Sequence, residues 1–163
     1  MLDSAILLSQ TLMLALIAAW LTVGVRDNIL YPNQNETFTT EVLTMSRLKV
    51  EYPNFYDQIA HRVVSDRRHQ IALFRLAVLI ELVVTVLLWI GVLMMATSPL
   101  GWVADDTARS VAILGTTGFT AIWAGFLVIG NHFAYWFGHE GAQNTHYQMT
   151  LWGIGVLIFL CLT

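Results

Sequence analysis

A single acid, Glu81, stands inside a long apolar run, where an ionised carboxylate is costly unless it is paired or hydrated. Counted from Gln70 at about 1.5 Å per residue, it lies ~16 Å into a helix, near the middle of a bilayer. Such an acid can relay a proton or a cation. It can equally be a neutral group that ties two helices by a hydrogen bond, with a donor and an acceptor on a neighbouring helix. The second reading is favoured, because no other acid lies in an apolar run and a relay needs a chain of groups. Arg75, about a turn and a half nearer the surface, points to another helix face and can snorkel to the headgroups. Asn131 and His132 are its alternative partners.

Histidines suggest a second chemistry. His132, His139 and His146, with Glu140 beside them, are candidate ligands for zinc or copper, and two histidines on facing helices can hold a haem. His61 and His69 fall on the same side of the chain. No tight pattern such as His-Glu-x-x-His is present, and histidines at a membrane interface serve more often as hydrogen-bonding groups. No cofactor is therefore required, with haem, a transition metal or a quinone as alternatives. No phosphate loop, nucleophile elbow or paired-acid motif is present, no catalytic residue is assigned, and the reading leans away from an enzyme.

The elements that must position these residues follow from composition. The 163 residues are 56% hydrophobic and 12% charged, about half the charge of a soluble domain, and carry a net charge of −3. Mean hydropathy is +0.63. The balance offers no basic stripe for nucleic acid, and the lone Cys161 can form neither an internal disulfide nor a four-thiolate metal site. Apolar residues gather at 5–25, 71–95, 110–137 and 147–163, each near the roughly 20 residues a span needs. The first follows an acid rather than a basic region, so it is expected to be a retained anchor. Ala121 with Gly125, and Gly130 with Ala134, offer close-packing faces.

Residues 26–70 form the one sizeable extramembrane segment. Phe38, Val42, Met45 and Leu48 recur at helical spacing, as do Phe55, Ile59 and Val63, and Asn54 resembles a helix start. Two short amphipathic helices against the bundle end are expected. Residues 96–109, with Pro99 and Gly101, read as a turn, and the third connection centres on Gly138 and Gly141. Arg26, Arg47, Lys49, Arg62, Arg67 and Arg68 lie in the first loop, against Arg109 on the other side, which favours cytoplasmic first and third loops and periplasmic termini. Phe133, Tyr135, Trp136, Phe137 and Tyr147 bracket the third loop as an interfacial belt.

These residues resemble one family, the bacterial predicted small integral membrane proteins of domain-of-unknown-function family twenty-one sixty-five. The likeness runs through Asn28 and Asn35, through Phe38, Val42, Leu43 and Met45, through Glu81, and through Gly130 to Trp152. The chain departs from the pattern at Glu41, Ser46 and His132, where the family carries histidine, aspartate and glutamate. The resemblance implies a multi-pass protein of the bacterial cytoplasmic (inner) membrane and implies no activity. The resulting expectation is an all-α, four-helix membrane bundle forming one domain over 1–163. Its surroundings are expected to be lipid and other membrane subunits or further copies of itself. Its function is expected to be that of an accessory, structural or assembly subunit, with a redox or proton/ion-coupled transport component as the alternative.

Overall fold

The computed structural model describes residues 2–162 and is all-helical over them. Seven α-helices follow in order: α1 Leu2–Leu30, α2 Pro32–Thr44, α3 Ser46–Glu51, α4 Pro53–Ile59, α5 Arg67–Thr97, α6 Asp105–His132 and α7 Glu140–Cys161. Short 3-10 turns cover Ala60–Arg62 and Ser98–Leu100.

Each long helix buries one stripe and leaves an apolar surface outside. On α1 the buried residues Gln10, Leu14, Ile17, Ala18, Leu21 and Val25 recur at three- and four-residue steps, as one helix face must. Its other face exposes Leu8, Leu12, Leu16, Trp20 and Val23. A helix that is apolar all round belongs in a protein interior or in lipid. Three helices, reaching over Leu2–Leu30, Arg67–Leu100 and Asp105–His132, are long and apolar enough to cross a membrane. In α7 the first turns carry Glu140, Gln143, Asn144, His146 and Gln148, which confines its apolar part to the later turns.

Lipid supplies no hydrophobic drive between helices, so close contact must hold them. Glycines provide it: a Cβ on Gly91 would lie 3.0 Å from the Ala112 backbone, and one on Gly115 3.2 Å from the Leu88 backbone. At Gly153 of α7 a Cβ would collide with the Thr120 hydroxyl of α6. The close-packing face expected at Ala121 and Gly125 meets no other helix, since Gly125 faces open space and Ala121 is exposed.

Several helix ends differ from expectation. Helix α1 continues through Arg26, Asp27 and Asn28, because polar residues need not end a helix that finds partners for them. Helix α6 stops at His132 rather than at residue 137. There Ala134 takes the left-handed conformation (φ 52°), and the amides of Ala134 and Tyr135 donate back to the carbonyls of Asn131 (3.1 Å) and Gly130 (3.0 Å). This is a Schellman ending with alanine in glycine's usual place. The first loop folds as a cap of three short α-helices, not two. Helix α4 begins at Pro53, whose missing amide suits a first helical turn, and not at Asn54. Met45 is also left-handed (φ 49°), so the helical phase shifts between α2 and α3. The buried set of the cap is Leu43, Met45 and Leu48 against Phe133 and Ala134, while Phe38 stays exposed.

Candidate functional site

Three groups of polar side chains are ordered within this frame. The first surrounds Glu81, which is 6% exposed on α5. The Asn28 side-chain amide donates to its carboxyl oxygen at 3.0 Å, and the Asn35 amide donates in turn to the Asn28 oxygen at 2.5 Å. Asn35 is exposed on α2, so an amide ladder runs from the surface to the buried acid. The partner comes from the end of α1, beyond the expected first span. That contact sets Glu81 level with the last turn of α1, which holds Asn28. Arg75 is exposed and has neither a hydrogen bond nor an ion pair among the described residues; Asn131 is exposed at the end of α6.

The second group joins the cap to the third connection. The Arg47 guanidinium of α3 donates to Glu41 (2.9 Å) and to the Gly138 carbonyl (2.5 Å). Gly138 has φ 79°, and a Cβ there would press on the Arg47 side chain at 2.8 Å, so glycine is required twice over. His139 is buried beside them, its Nε2 at 3.9 Å from the Glu41 carboxyl and its ring edge-on to Phe38. Burial, then the Arg47 charge, pulls the His139 pKa below the ordinary value, against the attraction of Glu41 and Glu140. Glu140 is fully exposed, and the backbone amides of Glu140 and Gly138 hold its carboxyl below the ordinary range. Arg67, at the start of α5, ties down α2 through Glu36 and Thr40.

The third group lies at the other end. Gln10, fully buried on α1, donates to the carbonyls of Phe159 (2.6 Å) and Leu162 (3.1 Å) near the end of α7. Arg109 of α6 donates to the Gln10 oxygen (3.1 Å) and to the Leu160 carbonyl (2.8 Å). A cation on the unsatisfied carbonyls of a helix C-terminus is favourable, and more so away from water. Sequence reading missed this latch. Its signals were a lone amide in residues 5–25 and a lone cation at the foot of α6.

The candidate metal ligands do not come together. His132 ends α6 against Phe133, His139 sits in the cap, and Glu140 faces solvent. His146 is enclosed by Trp123, Phe126 and Tyr135, its ring stacked on Tyr135 at 5.9 Å. Among the described residues no three histidine, cysteine or acidic side chains are placed to hold a metal ion. The turn at Phe133–Gly138 separates His132 from the other two, and His146 lies about two turns along α7 from His139. Tyr135 is buried in that turn, and burial followed by the neighbouring Tyr147 pushes its pKa up to about 12.

No curated protein and no solved structure matches the chain. Residues 6–163 match the model of one family, described as "Predicted small integral membrane protein (DUF2165)". With nearly the whole chain matched and three long apolar helices at its centre, the protein belongs to that family of small integral membrane proteins.

Proposed function

We propose that the chain is a non-enzymatic accessory or assembly subunit of a larger complex in the bacterial cytoplasmic membrane. In this reading it is a four-span bundle, with α7 as the short fourth span and both termini periplasmic. The observation that carries it is how the buried polar groups are used. Asn28 and Glu81 tie α1 to α5, and Gln10 and Arg109 tie α1, α6 and α7, so each set acts as a cross-link between helices. Between the two sets the interior is filled by Leu14, Ile17, Leu21, Leu88, Ala112 and Phe119, each 0 or 1% exposed. That packing favours a structural element over a conduit. The cap adds an exposed aromatic rim, with Tyr31, Phe38, Tyr52 and Phe55 at 43–66% exposure, of the kind that partner subunits cover.

One observation favours the second reading, a proton- or ion-coupled component: the ladder from exposed Asn35 through Asn28 to Glu81. Both readings are tested by gentle extraction from native membranes and native electrophoresis of wild type and Glu81→Gln. The subunit reading expects a discrete hetero-complex in both, because glutamine keeps the shape and accepts from Asn28. A folded Glu81→Gln chain that assembles but has lost an ion-coupled activity of the membranes overturns it.

A further inference from the structure

A groove of about 340 Å³ opens where α6 ends, between the third connection and the cap. Its walls are apolar: Leu48 and Ile59 from the cap on one side, Trp136 and Phe137 on the other, with Phe55 at the mouth. Polar groups lie along one margin, Arg62 and Gln58 from the cap and Asn131 from the last turn of α6. Just below, one turn before Asn131 on the same side of α6, Val128 is exposed (72%), so the groove opens towards the apolar outer face of a long hydrophobic helix. Trp136 is 47% exposed beside it, as an aromatic at a headgroup boundary would be.

Charge separates the possible occupants. In the first loop Arg26, Arg47 and Arg67 each hold an acid, Asp27, Glu41 and Glu36 respectively. Arg62 holds none among the described residues; one of its N–H groups donates to the His132 carbonyl at 3.0 Å, which fixes the guanidinium at the groove margin. A guanidinium so placed has N–H groups left to meet phosphate oxygens, and the Gln58 and Asn131 amides add donors. The volume suits a headgroup with its glycerol and the first carbons of an acyl chain, and is too narrow for a protein surface.

We propose that this groove binds an anionic phospholipid, its phosphate on Arg62 and its chain running down over Val128. The site holds a lipid, rather than a free phosphate, because most of its wall has nothing to offer a small hydrophilic ion.

Trp136 makes the test direct. The full chain in zwitterionic detergent is titrated with phosphatidylglycerol or phosphatidylcholine carrying bromine on the acyl chain near the headgroup, and tryptophan quenching is followed. A saturable component is expected that half-saturates at about fivefold lower phosphatidylglycerol than phosphatidylcholine. Trp136→Phe should remove that component, and glycerol 3-phosphate should not displace the lipid. Arg62→Gln should abolish the preference while helicity by circular dichroism is unchanged. Should Arg62→Gln unfold the cap, Gln58→Glu, which sets an acid on the same margin, should reduce the preference in its place. Equal quenching by both lipids in the wild type, a preference that survives the margin substitutions, a saturable component retained in Trp136→Phe, or displacement by glycerol 3-phosphate overturns the proposal.

Discussion

A histidine with little water around it and a guanidinium nearby holds its proton poorly, and His139 is in that position. Glu41 would draw the proton back, but its carboxylate already accepts from Arg47. An unfolded histidine titrates near 6.5, whereas the folded value of His139 is lower, so the unfolded chain binds the extra proton in the interval between. The contribution of His139 to stability is thus complete above about pH 6.5 and is lost as pH falls through that interval. Limited proteolysis of the α3–α4 segment in detergent should therefore run faster at pH 5.5 than at pH 7.5. His139→Gln should reduce that difference, and identical cleavage at both pH values in the wild type would contradict the account. The burial of Glu81 was legible from one fact, an acid within an apolar run. Its partner was not, because Asn28 lies 53 positions away and only the packing of α1 on α5 sets which residues face each other.

Helix pairs in this protein depend on where side chains are missing. The seam between α6 and α7 closes on Gly153, whose absent Cβ leaves room for the Thr120 hydroxyl, itself bonded to the Thr116 carbonyl at 2.8 Å. Gly153→Ala should force the helices apart and cost about 1–3 kcal/mol, read as a lower melting temperature in detergent. Adding Thr120→Ala should recover part of the loss by vacating the space; no recovery would mean that the seam closes elsewhere. The apolar cores of the long helices were readable from the sequence, since apolar runs of that length have few other fates. Their ends were not. Arg26, Asp27 and Asn28 read as loop yet continue α1, and Ala134 ends α6 in a conformation that no alanine advertises. The same holds for Met45, whose left-handed turn interrupts the apparent stripe, so that Leu43 joins Met45 and Leu48 in burial while Phe38 is exposed.

For the whole molecule, the uneven spread of arginine and lysine is the strongest guide to how it sits in the membrane. Asn33 and Asp105 are both exposed, at opposite ends of the bundle, and Cys161 is the one native thiol. In a Cys161→Ser background, an impermeant thiol reagent on spheroplasts should label Asp105→Cys and spare Asn33→Cys. Labelling of the first-loop site alone would show the reverse orientation. At the end opposite the cap, Gln10 is joined to carbonyls 149 and 152 positions later. Synthesis runs in one direction, so α1 completes its bonding only when α7 has followed it. Until then Gln10 has Arg109 alone, and before α6 arrives it has neither. The buried amide of α1 therefore waits, while α5 and α6 are made, for the closing turns of α7.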